Sequence, residues 1–532
     1  MNKTLKRLGL ASTLVLTLII VTACAGDSSE GGEVRDELVI AMAQEPRSLD
    51  LHRTNDNPAA IVTRQIFETL VLQDENMDIL PGLAHHWEPY NDRIWEFHLN
   101  EGVYFHNGER LTAYDVAASL TNAAQSPQVA AVMSIIDVDT IEVVDDLTVR
   151  VGTAEPFAPF LSHLAHTAAG IMNADDLANA EEPDDADDFT TNLDRHPNGT
   201  GPFMVVDPLE WVSGSQITLH RFEDYHATIP GRDLPSFETM IFMFIGDPTA
   251  RMAALETGEV HIDLNPTVEN FARVEREDGL RLDSIPGLRT DFLGLNQEHE
   301  HLSNRLVRQA INYATDVEGI IEAIYEGHGV VGQTVISASV FGHNPDIEGF
   351  PLNVERAQEL MIEAGLEAGF DITLHVNTER QDRIDIAQIL QQQLREINIE
   401  INIVTIDFPQ LLDMLDDGEA DLFLLGWTSV TGDGDYALFP LFHTSQHGSP
   451  GNYSRFSNAE VDALLDEARV STDADERLDL YFRVQEILRE EAPWVIMLQE
   501  EESAFVNYGV VDGFILSPAR SHYFGNITLS DE

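Results

Sequence analysis

The chain has one cysteine, Cys24, and two lysines, Lys3 and Lys6, in 532 residues. A single cysteine excludes an intramolecular disulfide, a CxxC redox pair and a thiolate zinc site. Positive charge is scarce throughout: 30 basic side chains face 92 acidic ones, for a net charge of −62. Such a surface repels nucleic acid and anionic lipid headgroups, so neither is expected as a partner. It also repels itself unless a salty medium screens it, and the acidity reads as adaptation to one. Beyond Lys6 the fixed positive charge is all arginine, which stays charged where lysine titrates and so suits an alkaline exterior. No H-E-x-x-H, G-x-S-x-G or P-loop string occurs, and with no cysteine nucleophile beyond Cys24 nothing points to an enzyme. Internal repeats are absent, which excludes a solenoid.

One long apolar run is present. Lys3, Lys6 and Arg7 precede the uncharged stretch Leu8 to Ala23, the layout of a secretory signal over 1–23. The following Val21-Thr22-Ala23-Cys24 resembles the bacterial lipobox, in which the cysteine is diacylated. Two acyl chains suffice for stable attachment, so the expectation is an exported chain held by Cys24 at the outer face of the cell membrane. Residues 24–35, polar and rich in Gly and Ser, form a flexible tether. No later stretch approaches the roughly 20 apolar residues of a membrane span.

About 500 residues exceed one hydrophobic core, so two or three lobes are expected, and 43% apolar residues exclude a disordered body. The acidic stretch Asn179 to Asp188 reads as a surface loop. Periodicity is clearest from Ile372 to Trp427. Ile372, Leu374 and Val376 alternate as a strand, and Ile384, Ala387, Leu390, Leu394 and Ile397 recur at helical spacing. Ile399, Ile401 and Ile403 alternate again, a short helix spans Leu411 to Leu415, and an apolar run closes the unit at Leu422 to Trp427. This βαβαβ pattern predicts an α/β fold with a mostly parallel sheet, whose ligands bind at the carboxyl ends of strands. The segment Asn304 to Ile324 predicts two helices joined near Asp316, with Asn304 as a cap. Ile94 to Phe105 and Thr140 to Val151 predict antiparallel strands.

Several strings resemble those of solute-binding protein family 5, the large extracytoplasmic binding proteins of peptide and nickel importers. Trp95 to Leu120 (WEFHLNEGVYFHNGERLTAYDVAASL) resembles its signature. Pro197 to Phe203, Phe292 to Ile321, Ser339 to Pro345 and Pro351 to Gly365 follow in family order, and together they cover nearly the whole chain. The resemblance implies a two-lobed periplasmic-binding-protein-like fold of class II, of the large three-subdomain type, with mixed sheets and an interlobe cleft. It implies lobe I at 36–72, 200–290 and 495–532, its insert at 73–199, and lobe II at 291–494. Linking strands near Leu288 to Leu295 and Glu491 to Gln499 would let the lobes close on the solute. The partners it implies are an ABC permease and ATPase, served by a monomer that uses no cofactor.

Within that family, Gly426 to Leu441 (GWTSVTGDGDYALFPL) most resembles the glutathione- and dipeptide-binding branch. A peptide needs a cation for its carboxylate and an acid for its ammonium. Arg380 matches the arginine that holds the carboxylate in dipeptide binders, a role that suits its planar fork. The family's acid falls on Val430, so that contact cannot be carried over, and Asp433 and Asp435 are the nearest substitutes. Trp427 either walls the solute or belongs to the core, while Tyr453 and Asn55 lie in segments that line the cleft in relatives. His106 belongs to the F-H-x-G string and reads as structural. The rival within the family is metal-chelate binding. The closest groupings of the nineteen histidines, His85-His86, His299/His301 and His443/His447, form no convincing ligand set, so no metal is assigned. A secreted peptidase is the rival from another class. A signalling receptor subunit with the same ligand remains indistinguishable from a transport component by sequence.

Overall fold

The computed structural model describes residues 36–180, 191–448 and 451–530. The signal, Cys24 and the tether lie outside the described residues, as does most of the acidic stretch Asn179 to Asp188. Among the described residues no helix is long and apolar enough to cross a membrane.

The fold is mixed α/β, built on an 11-stranded sheet with flanking helices and a separate 4-stranded sheet. The predicted βαβαβ unit is present as strand Phe370–Asn377, helix Gln381–Gln393, strand Ile399–Ile406, helix Phe408–Asp417 and strand Leu422–Thr428. Phe370–Asn377 pairs in parallel with both other strands, with Leu374 opposite Ile403 on one side and Leu422 on the other. Leu422–Thr428 then runs antiparallel to the long strand Leu280–Leu295, which pairs antiparallel with the nearly as long Trp494–Asn507. Beyond it the sheet continues through Ile262–Asp263, Glu37–Met42, Thr239–Phe244 and Gln216–Arg221.

Strand alternation sends successive side chains to opposite faces, and helices cover both. Leu293, Leu295, Leu422 and Leu424 join one buried cluster with Ile311, Leu390 and Ile399. Phe292 and Phe423 face the other way, into a cluster with Leu438, Tyr481 and Trp494. Gly294 sits opposite Phe423 in the register, and a Cβ there would meet the phenyl ring, so the glycine makes room for it. A third cluster gathers Leu38, Ile40, Phe203, Phe242, Val506 and Phe524 from distant parts of the chain. The 4-stranded sheet, with strands Ile94–Leu99, Glu142–Asp145 and Thr148–Gly152 antiparallel as expected, has its own core around Phe97, Val116, Val149 and Phe160.

Helix ends follow the sequence closely. Asn304 caps Arg305–Ala314 and Asp316 caps Val317–Tyr325, each accepting a backbone N–H from the first turn. In the signature string, Thr112 and Asp115 form a capping box that starts helix Ala113–Gln125. The linking strands differ from expectation in length. They run without a break through both halves of the sheet, as Leu280–Leu295 and Trp494–Asn507, and are held together there by backbone pairing even where the residues are polar. The break shows instead as a register irregularity: Pro286 pairs with Glu501 and Thr290 with Gln499, leaving Gly287, Leu288 and Arg289 opposite Glu500 alone.

Candidate functional site

That irregularity faces a cavity of about 350 Å³. Its walls come from Asn55 and Asp56 at the start of helix Asn57–Thr63, Gln73, Ala165 to Thr167 beside the 4-stranded sheet, Arg380 with Thr428 and Val430 from the ends of parallel strands, the linking strands, and Pro518 to Ser521. The carboxyl ends of Phe370–Asn377 and Leu422–Thr428 therefore reach the site, as a parallel sheet requires. A second cavity of about 650 Å³ adjoins it and shares Asp56, Asn57, Arg520 and Glu500 to Glu502.

The charges in this cleft are unusual for their number. Arg380 donates from Nε and Nη2 to the two oxygens of Asp382, at 2.9 and 2.7 Å, which leaves Nη1 unbonded among the described residues. Burial works to raise the Asp382 carboxyl, but its hydrogen bonds to Arg380 and the charge there outweigh burial and hold it below the usual carboxylate range. Arg289 donates to Asp291 at 3.1 and 3.0 Å and lies 3.2 Å from Glu500. The same Asp291 accepts from buried Arg383 at 2.9 Å. Gly426 stands opposite Asp291, and a Cβ there would strike the Arg289–Asp291 pair. Arg520 binds Glu502 at 2.5 Å and approaches Glu500 at 3.4 Å. Burial pushes the Glu500 carboxyl up, with Arg289 opposing. The Glu501 side chain, half-buried on the cavity wall, has no hydrogen-bond or ion-pair partner among the described residues.

Of the six residues singled out as ligand contacts, Arg380 and Asn55 come together on this cavity. The other four lie apart from its lining. Trp427 donates its indole N–H to the Tyr436 carbonyl at 3.0 Å and packs on the lobe core. Tyr453 packs against the same core, edge-on to Phe423. Asp433 is 2% exposed, caps helix Gly434–Phe442, and takes both oxygens to Arg477 at 2.6 and 2.8 Å. Asp435 is 4% exposed and lies 3.1 Å from Arg469, and burial pushes its carboxyl up to about 6. Gln73 donates to the Thr431 carbonyl of this loop at 2.8 Å, and Val430 and Tyr436 pack on the core of the 4-stranded sheet. His106 bonds the Gly201 carbonyl at 2.9 Å, across 95 residues of chain, and burial pushes its imidazole down to about 4. Sequence reasoning missed Glu500, Glu501, Arg289 and Arg520. The only signal was the acidic run Glu500 to Glu502 inside an apolar strand, which is anomalous for a buried β-segment.

Two lobes joined by paired strands around a charged cavity define a binding protein that encloses a small solute. Residues 78–449 match the model of the bacterial extracellular solute-binding proteins, family 5 (middle), and the chain belongs to that family. It is 29% identical over 478 residues to the dipeptide-binding protein of Escherichia coli, covering 85% of this chain and 86% of that one. It is likewise 29% identical over 520 residues to heme-binding protein A of Haemophilus influenzae, covering 91% and 92%. Among solved structures, HbpA2 from Haemophilus parasuis superimposes with a TM-score of 0.83 at 27% identity, over 93% of this chain and all of the other. The protein is accordingly an extracytoplasmic substrate-binding component of an ABC importer and not an enzyme.

Proposed function

We propose that the solute is a short peptide with free termini, a dipeptide or glutathione, delivered to a permease and ATPase complex by a monomer tethered through diacylated Cys24. The observation that carries this reading is the meeting of Arg380 and Asn55, from opposite sides of the linking strands, on one cavity that also holds an unpaired carboxylate. Arg380 receives the peptide carboxylate through Nη1 and by exchange with Asp382. Glu501, which lines the same cavity as Asn55, receives the ammonium. A cavity of about 350 Å³ fits a ligand of that size, and its larger neighbour leaves water-filled room for side chains.

Closure follows if the ligand touches both lobes, because a solute shifts an equilibrium only by its differential affinity for the two states. The lobes we assign are 36–72, 200–290 and 495–532 with their insert 73–199, closing against 291–494 about the Gly287 to Arg289 irregularity. Support comes from the hydrophobic clusters, which divide the chain in nearly the same way. Dipeptides and glutathione titrated into the protein by calorimetry in high salt test the reading. Micromolar or tighter binding that survives EDTA is expected. No heat with any free-ended peptide, or binding abolished by EDTA, overturns it.

A further inference from the structure

The outer face of the insert sheet carries a group of side chains that the cleft does not use. Strand Ala84–Pro89 pairs antiparallel with Ile94–Leu99, so that His86 stands opposite His98 and Glu88 opposite Glu96. Directly opposed residues project from the same face, which puts two imidazoles and two carboxylates at the corners of one cross-strand square. Donor atoms of Glu88, Glu96 and His98 all lie within 4.8 Å of one another, the one such group of three among the described residues. His98 Nε2 is 3.5 Å from Glu96 Oε1. Donors at the edge of a tetrahedral site with metal bonds near 2.1 Å stand about 3.4 Å apart, so this pair is already spaced for a cation. The exposed His86 ring lies 5.6 Å from that of His98 and nearly parallel to it, at 13°, outside the 4.8 Å group, and a rotation of its side chain would bring it in as a fourth donor.

We propose that this face is a binding site for a borderline divalent transition cation of the Zn²⁺ or Ni²⁺ type, with Glu88, Glu96 and His98 as ligands and His86 completing the set. Two imidazoles with two carboxylates favour such ions over Mg²⁺ or Ca²⁺, which take oxygen ligands. Arg150 is the positioning residue. Its Nε donates to Glu96 Oε2 at 2.7 Å, while Nη1 reaches Glu142 at 2.9 Å and the guanidinium lies 3.8 Å over the Tyr90 ring. Held from three sides, it occupies one oxygen of Glu96 and turns the other toward His98, the second-sphere orientation that metal carboxylates need. No residue of this group lines the cleft, so the site is separate from solute capture. Its effect is to clip the outer strand of the insert sheet to its neighbour.

The test is equilibrium dialysis of the EDTA-stripped full chain against Zn²⁺, and separately Ni²⁺, in a non-chelating buffer at high salt. One equivalent bound in the micromolar range is expected. His98→Asn and, independently, the exposed His86→Asn and Glu88→Gln each weaken it at least tenfold, while peptide affinity is unchanged. Should His98→Asn melt early in EDTA, the two exposed variants decide. Affinity within twofold of the native chain in all three, absence of a stoichiometric site below millimolar metal, or loss of the site in Arg380→Ala with the sheet intact would each overturn the assignment.

Discussion

Two arginine–aspartate pairs in this protein join the same residue types and differ in what surrounds them. In the loop after Trp427, Asp433 and Arg477 are both more than nine-tenths buried, and Tyr481 and the helix N-terminus take up the remaining hydrogen-bonding capacity. In the cleft, Arg380 and Asp382 are 39% and 24% exposed, and one guanidinium nitrogen is unbonded among the described residues. The first arrangement is closed, with every charge answered by the protein itself. The second has a charge in reserve, and reserve is what a ligand site requires. Placing the peptide contacts at Arg380 and Glu501 rather than in the acidic loop follows from that contrast, and it can be broken from either side.

The largest effect is expected in the closed pair. Arg477→Ala strands the Asp433 carboxylate in the core, a loss that costs about 3–5 kcal/mol when one partner of a buried ion pair is removed. Denaturant unfolding should show it as a lower midpoint, while the folded fraction still binds peptide within about twofold. Next in size is Arg380→Ala. Losing charge-assisted hydrogen bonds to a ligand carboxylate costs about 1.5–3 kcal/mol, or roughly 10- to 100-fold in Kd by calorimetry, with little change in melting because Arg380 is partly solvated. If Arg477→Ala abolished binding in the folded protein and Arg380→Ala spared it, the two arrangements would have exchanged roles.

Asp435 sharpens the contrast through pH. Its carboxyl is pushed up to about 6 by burial, with Arg469 only partly offsetting this, so between about pH 4 and 6 the folded protein holds a proton that the unfolded chain has released. That contribution to stability is complete below the unfolded value and is lost as pH rises through about 6. Asp435→Asn does not titrate. Its melting temperature relative to the native chain should therefore rise between pH 4 and pH 6.5, by the equivalent of about 2 kcal/mol. A difference that stayed flat across this range would mean the carboxyl is not held neutral.

The fold was legible where local pattern and tertiary burial agree. Ile372 to Trp427 showed its strands and helices because each has one period and one buried face, and Asn304 declared a cap because its partner lies two residues away. The linking strands were legible in position and not in extent. The site was legible in part through family resemblance, which brought Arg380 and Asn55 forward. Nothing in the local sequence reveals that Asp433 meets Arg477, a contact 44 residues distant. A G-D-G-D loop reads equally well as ligand contact or as helix cap. Glu501 was hidden for the opposite reason: among 92 acidic residues a single carboxylate carries no signal until its lack of a partner is seen in three dimensions.

Glu501 gives the smallest effect and the finest discrimination. Because its side chain bonds to nothing among the described residues, Glu501→Gln should leave the unfolding midpoint unchanged or raise it slightly by relieving repulsion from Glu500 and Glu502. Peptide affinity should fall only about 2- to 5-fold, under 1 kcal/mol, as expected for one partly solvated charge pair. The informative measurement is a cycle that combines this variant with an N-acetylated dipeptide. If Glu501 faces the ammonium, acetylation and substitution each weaken binding, and the second change adds little once the first is made. Fully additive losses would move the ammonium elsewhere on the wall, with Asp56 the next carboxylate along the same cavity.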